Sequence, residues 1–361
     1  MTRLYGFGSN GSGQLGIGHL EDTKEPTLCI GLPNDSTIVK VAGGGNHSAL
    51  ITKHGKLFMA GLSQFGEEVQ KTIPEYVQGN AEWTTYQLRF EHIQWKDIAC
   101  GWACTLMLDT AGQLYGIGTS RWNELLGSST DKLRRIEHDS LKNIVSVSCG
   151  WRHVVVLDKE GQVYGWGWGK KGQLGPLSSP SIVIDTKKDI RSVQKIDMPQ
   201  TIVEIACGHV HTLLRGQDGT VYGLGSNKYS QLGEAIDDEN DGSLSVVFKN
   251  AALVDACWHN SAILDSAGDI EILGRNDHGQ LGTCQPPLKK IACGSEHVVA
   301  ISKETEHALA WGWNEHGNCA SDELFTSQPV YLDQFGKVDV IGAGCATSWF
   351  GTNTAYDRST S

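Results

Sequence analysis

Apolar residues in this chain come in short runs of about four to eight positions, each flanked by glycine, asparagine or aspartate. VAGGGNHSALI from Val41, IACGWACTLML from Ile98, VSCGWRHVVVL from Val147 and IACGHVHTLLR from Ile205 are examples. Runs of this length bounded by turn residues predict strands. No sustained apolar stripe of helical period is present, so long helices are not expected. Some 15 residues after each run comes a second pattern, such as YGIGTSRWNELLG from Tyr115, YGWGWGKKGQLG from Tyr164 and YGLGSNKYSQLG from Tyr222.

The two patterns recur together. DACWHNSAIL, IACGSEHVVAI and IGAGCATSWFG continue the first. LGRNDHGQLG, WGWNEHGNCA and the degraded MAGLSQFGEEV continue the second. Aligning the first pattern on its cysteine gives Gly43, Cys100, Cys149, Cys207, Cys257, Cys293 and Ala343, at spacings of 57, 49, 58, 50, 36 and 50 residues. A repeat near 50 residues with several short strands per unit predicts a β-propeller with four-stranded blades. The longer units then carry insertions, at 62–96, 177–198 and 235–250. The chain opens within the second pattern and ends soon after a first. These halves complement each other, which predicts an all-β, seven-bladed propeller whose last blade is closed by the N- and C-terminal strands. Residues 1–351 form the single propeller and 352–361 a short tail.

This repetition also decides how to read YGFGSNGSGQLGIG, residues 5–18. Gly6, Gly8 and Gly11 spell the G-x-G-x-x-G of a dinucleotide site, which requires a strand before it and a helix after it. The following GQLGIG is a poor helix former, and the stretch recurs around the chain. It is half of a blade, and no cofactor is expected.

Composition narrows the function classes. Glycine is 44 of 361 residues, in keeping with many tight turns, and the net charge of −11 argues against general nucleic-acid or anionic-membrane binding. The opening MTRLYGF lacks the apolar core of a signal peptide, and no apolar run is long enough to span a membrane. Ten cysteines without a C-x-x-C pair, most inside strand-like runs, are read as reduced thiols of a cytoplasmic protein, with the nucleus left open. Because the aligned cysteines fall in separate blades, no metal site is expected. The recurring His47, His153, His211 and His297, with Cys104, Ser261 and Thr347 in the other three places, are read as partners of turns within their own blades. No convergent catalytic set is found, so no enzyme is expected.

Residues that vary between repeats point to a partner. The pair after each Cys-Gly lies in a turn at one end of the blade near the axis. These pairs are Gly45–Asn46, Trp102–Ala103, Trp151–Arg152, His209–Val210, Ser295–Glu296 and Cys345–Ala346. In the fifth unit Trp258 stands in place of the glycine, followed by His259 and Asn260. Trp102, Trp151 and Trp258 would gather on one face, where indoles and arginine are strong docking residues or a plug for the channel. The candidate partner-binding residues are Trp102, Trp151, Arg152, His209, Trp258, His259 and Glu296, with Trp313 and His316 as a second rank. The insertion WTTYQLRFEHIQW, with Trp83, Tyr86, Phe90 and Trp95, is read as a cover for a blade or a clasp. The run Asp237, Asp238, Glu239 and Asp241 is read as a solvated loop.

The A-C-G-x-x-H-T and Y-G-W-G-x-N-x-x-G-Q-L-G patterns resemble the regulator of chromosome condensation repeat family over essentially the whole chain. Kelch propellers share the period but not these glycines. WGWNEHGNC (311–319), GCATSWF (344–350) and the N-terminal stretch are similar to a fungal branch of that family, the alpha-tubulin suppressor or killer-toxin-insensitivity propellers. That resemblance implies a non-enzymatic scaffold paired as a heterodimer with a small CSL-type zinc-finger protein. It would serve diphthamide synthesis on elongation factor two and Elongator-dependent modification of the tRNA wobble uridine, meeting those components indirectly. The wider family implies the alternative, an exchange factor or regulator for a Ran-like small GTPase.

Overall fold

The computed structural model describes residues 3–34, 36–62, 84–234, 236, 242–283 and 285–352. Seven antiparallel sheets follow one another along the chain. Each starts with an inner strand, turns into a fully buried second strand, and turns again into a glycine-rich third. In blade two these are Trp95–Cys100, Cys104–Asp109 and Leu114–Gly118, with Thr130–Arg135 outside them. The second strands, such as HVVVLD at His153–Asp158, are buried along their whole length because neighbouring blades cover both their faces. Clusters of buried residues lie between successive blades, so the core is itself a ring.

Glycine in the third strand is required by packing. A Cβ at Gly116 would lie 2.6 Å from Leu125 Cδ2, and one at Gly223 would lie 2.7 Å from Leu232 Cδ2. In blades two, three and four the leucine of the turn that follows, Leu125, Leu174 or Leu232, fills that space. The tyrosine-glycine and glutamine-leucine-glycine signatures are therefore two halves of one contact.

Closure is as the sequence predicts. Arg3–Gly8 pairs antiparallel with Thr347–Thr352, from Arg3 opposite Thr352 to Gly8 opposite Thr347. The seventh sheet runs Thr23–Leu28, Arg3–Gly8, Thr347–Thr352, Val340–Gly344. Trp349 and Phe350 are fully buried there, and Phe350 stacks on Tyr5 at 5.3 Å.

Two expectations need correction. Among the described residues blade five has three strands, Ala251–Ala256, Asn260–Asp265 and Ile270–Gly274, and blade three has five. After Gly282 the chain reaches blade six through Pro286 and Pro287, which cannot donate to a ladder. Where blades two, three and four have Gly116, Gly165 and Gly223 under a fourth-strand side chain, blade five has the buried Ile272, which fills the space itself. The alignment of the fifth unit also moves by one residue. Cys257 N donates to Asn260 O as Gly208 N donates to His211 O, both at 3.0 Å. Cys257 therefore takes the glycine position, Ala256 the cysteine position, and Asn260 (not Ser261) the histidine position. Trp258 and His259 become the turn pair.

The histidines act between blades and not within them. Thr212 Oγ1 of blade four donates to Gln173 O of blade three at 2.8 Å and lies 3.1 Å from His153 Nε2. Ser261 does the same with Gln231 O and His211, and Ser348 with Asn318 O and His297. Each hydroxyl spends its only proton on the carbonyl, so the imidazole must donate from Nε2. At the other end of the blades, carboxylates staple neighbours. Asp97 accepts from Val147 N at 3.0 Å, Glu204 from Val254 N at 3.1 Å and Asp255 from Cys293 N at 2.8 Å.

Of the insertions, Tyr86 and Trp95 are buried in the body of the disc, and Phe90 packs against Trp95 at 6.3 Å. This part covers a blade. Trp83 and the run Asp237, Asp238, Glu239 and Asp241 lie outside the described residues. None of the nine described cysteines is in a disulfide, and no helix among the described residues is long and apolar enough to cross a membrane.

Removal of the strand Arg3–Gly8 should open the ring and uncover Trp349 and Phe350. The expected cost is on the order of 5 kcal/mol or more, comparable with the stability of a whole domain. Thermal unfolding by circular dichroism tests this, and a midpoint within a few degrees of the intact chain would contradict it. The histidine clamps make a second prediction. Burial lowers His47 and His297 to about 4, and His153 and His211 to about 3. The unfolded chain takes these protons near pH 6.5 and the folded chain does not. The stability these groups contribute is complete above about pH 6.5 and drains away as pH falls toward 4, by up to about 1.4 kcal/mol per pH unit for each histidine. Glu124 and Asp255, raised by burial to about 7 and 6, act in the opposite sense and offset part of the loss. Urea midpoints between pH 7.5 and pH 4.5 should therefore fall, and His153→Gln should flatten the slope by about one proton.

Candidate functional site

In an antiparallel blade the turn from first to second strand and the loop after the third strand lie at the same end. Seven such ends make one mouth of the axial channel. Successive turns there are joined by backbone hydrogen bonds: Gly45 N to Trp102 O, Trp151 N to His209 O, His209 N to Trp258 O, Trp258 N to Ser295 O, Ser295 N to Gly344 O, and Cys345 N to Gly44 O, all between 2.8 and 3.3 Å. The link from Trp102 to Trp151 is missing from this belt among the described residues.

The belt sets the positions of the side chains above it. Trp102 of blade two reaches across the axis to Trp258 of blade five, with ring centroids 5.7 Å apart. His209 stacks on Trp151 at 4.3 Å and 20°, and lies 5.3 Å from Trp258. His259 continues the row at 5.4 Å from His209. Six of the predicted residues, Trp102, Trp151, Arg152, His209, Trp258 and His259, thus form one crescent across blades two to five. Among the described residues, the first turns of blades one and seven bring Gly45, Asn46, Cys345 and Ala346 to the same mouth. Trp102, Trp151 and Trp258 also line the top of the channel. The candidate docking residues and the channel lining are thus the same indoles, and Trp102 remains 41% exposed.

The other three predicted residues lie differently. Glu296 is buried, with its side chain 2% exposed, and is bound to His259 Nδ1, to Gln280 Nε2 at 3.1 Å and more distantly to Arg275 at 3.7 Å. It orients His259 and offers little surface of its own. Trp313 stacks on His278 at 5.0 Å, and His316 Nδ1 pairs with Asp22 at 2.7 Å. These contacts run outward, toward the half-exposed Phe325 beside His278.

Several residues of the crescent were not anticipated. Trp122 sits after the third strand of blade two, Trp168 ends that of blade three, and Tyr229 sits after that of blade four. Trp122 meets Trp168 at 6.0 Å, Trp168 meets Trp151 at 6.2 Å, and Tyr229 meets His259 at 4.9 Å. The signal was available, because blade topology brings the end of the third strand to the same mouth as the first turn.

The electrostatics of the mouth follow from burial. His209 is lowered to about 4, by burial first and then by the charges of His259 and Arg152, so it is a neutral ring at pH 7. Burial likewise lowers the Arg152 guanidinium somewhat. Glu124, in the place that other repeats give to glutamine, accepts from Trp122 N at 2.8 Å and is raised by burial to about 7. Deeper in the channel, Cys100, Cys149, Cys207 and Cys293 line the walls. Burial pushes Cys100 and Cys207 up to about 12, which removes them as nucleophiles at neutral pH. No three potential ligand side chains among the described residues converge as a metal site. Chemically the mouth offers aromatic faces, a stacked guanidinium and the neutral imidazole of His209, which suits recognition.

A family profile described as the RCC1-like domain matches residues 3–350. An RCC1 repeat-containing protein of Schizosaccharomyces pombe is 29% identical, over 96% of this chain and 97% of its own. The secretion-regulating guanine nucleotide exchange factor of Bos taurus is 27% identical, over 91% of this chain and 78% of its own. The crystal structure of Prp20p from Saccharomyces cerevisiae aligns with a TM-score of 0.82 at 22% identity, covering 99% of this chain and 92% of that one. At that identity the likeness is one of fold.

Proposed function

Because the chain belongs to the RCC1-like domain family, we propose that it is a non-enzymatic docking disc whose aromatic crescent holds one protein partner. The observation that carries this reading is the meeting of Trp102, Trp151, Trp258 and Arg152, from three separate blades, at one partly exposed mouth. Tryptophan and arginine dominate the energetics of protein interfaces, and large rings beside the solvent have little other use in a propeller whose core is already filled.

The comparisons favour a Ran-like small GTPase as the partner. The bovine relative is named a guanine nucleotide exchange factor, and Prp20p is described for its binding to Gsp1p and histones. In this reading the disc regulates nucleotide exchange by seating the GTPase on the crescent. The second reading is a scaffold for a small CSL-type zinc-finger protein, supporting diphthamide synthesis on elongation factor two and Elongator-dependent wobble uridine modification in tRNA. It is favoured by a specific feature. The segments that resemble that branch, 311–319 and 344–350, lie in blades six and seven, whose turn residues Ser295 and Cys345 continue the belt of the same mouth.

One experiment separates these outcomes. The purified chain is mixed with a Ran-type GTPase loaded with labelled GDP, and separately with a purified CSL-type zinc protein. Accelerated GDP release selects the first partner. A stoichiometric complex with the zinc protein and no effect on GDP selects the second. In either case Trp102→Ala and Trp258→Ala should each weaken binding by about thirtyfold, as expected for hot-spot truncations near 2 kcal/mol. Undiminished binding by both variants, with melting temperatures unchanged, would remove the crescent as the docking face.

A further inference from the structure

The guanidinium of Arg152 lies 3.1 Å from the ring of Trp151, 4.2 Å from that of Trp122 and 5.6 Å from that of Trp168. Indoles therefore occupy its faces. The five N–H donors of a guanidinium lie in its plane and point along its edges. Among the described residues those of Arg152 make no hydrogen bond or ion pair. Other partly buried arginines of the chain are engaged: Arg191 with Asp189, Arg215 with Glu204, and Arg275 with Asp277. Glu124, which acts electrostatically on Arg152, is turned to the Trp122 N–H and is half neutral near pH 7.

The surroundings are cationic on a chain whose net charge is −11. Lys188 Nζ lies 5.7 Å from the Trp122 ring, and the exposed Lys170 and Lys171 follow Trp168 by two and three positions. An arginine already stacked has lost much of its rotamer freedom before any ligand arrives, so little more is lost on binding.

We propose that Arg152 is the anchor for an acidic segment of the protein partner. One carboxylate of that segment takes the in-plane, two-pronged seat on the guanidinium, and Lys188, Lys170 and Lys171 flank the rest. This deepens the docking reading above and rests on it for the identity of the face.

The test uses dye-labelled hexaglutamate as probe, with hexaglutamine and hexalysine as controls, at low ionic strength. Arg152→Met keeps the apolar stem against the indoles but removes the donors. Arg152→Lys keeps the charge but loses the fork. The wild-type chain should bind hexaglutamate and neither control, with affinity falling as salt is added. Arg152→Met should bind roughly tenfold more weakly or worse, Arg152→Lys should fall between, and Lys188→Ala should change little. Melting temperatures of the variants establish that each is folded, and the partial recovery in Arg152→Lys separates loss of the fork from loss of packing. Equal binding by wild type and folded Arg152→Met overturns the proposal, as does a preference for hexalysine. So does a wild-type dimer in sedimentation that Arg152→Met dissociates, since a second copy would then supply the carboxylate. If a protein partner is lost in Trp102→Ala but kept in Arg152→Met, the docking face stands and the acidic-segment anchor falls. If it is kept in both, the docking face falls, and the peptide titration alone decides Arg152.

Discussion

The clamp on the next blade's hydroxyl is the interaction on which the ring depends. Within a blade, ladders of backbone hydrogen bonds hold the strands. Between blades there is no ladder, only single backbone bonds between turns at one mouth and side chains meeting across a packed seam, and apolar contact alone is tolerant of sliding. A hydroxyl such as that of Thr212, held at once by Gln173 O and His153 Nε2, has one place to sit. It pins the inner end of one sheet to the turn of its neighbour. The carboxylate staples of Asp97, Glu204 and Asp255 do the same at the opposite mouth. Register between sheets is thus specified by buried polar groups that reach into the blade next door.

The hydrogen-bonded belt at the aromatic mouth follows from that register. Once neighbouring inner turns are fixed in height, their amides and carbonyls meet, and the residues between them must project outward. This is why variable residues such as Trp102 face the mouth, the buried Ser295–Glu296 pair excepted, while the repeated histidine becomes core. The same scaffold can therefore carry a different chemistry at each of seven turns without disturbing the ring.

The fold was legible in the sequence because its signals are local and repeated: tyrosine-glycine, glutamine-leucine-glycine and cysteine-glycine each mark a fixed place in a blade. Where the repeat is degraded, the reading slipped. In the fifth unit the cysteine of Ala256-Cys257-Trp258 occupies the glycine position, and only the bond from Cys257 N to Asn260 O fixes the register. The crescent was legible in part. Trp102, Trp151 and Trp258 were found because they replace small residues in a turn. Trp122 and Trp168 were missed because they stand far from that turn in sequence and reach it only through blade topology. Glu296 looked like surface because it follows the same turn, but its carboxylate is drawn inward by His259 and Gln280. A turn position specifies where a residue starts, whereas its charged neighbours decide where the side chain ends.

Blade five shows how little a blade requires. Among the described residues it has no outer strand, and Ile272 stands where blades two, three and four have a glycine beneath an outer segment. The inner three strands, with the turns between and after them, carry the clamps, staples and belt bonds described above. The outer layer is therefore a decoration in the architectural sense, absent in blade five and doubled in blade three. For an engineer the rim is the place to graft foreign segments into this disc. Blade five is the natural socket, provided that Ile272 is cut back to glycine to receive the incoming side chain.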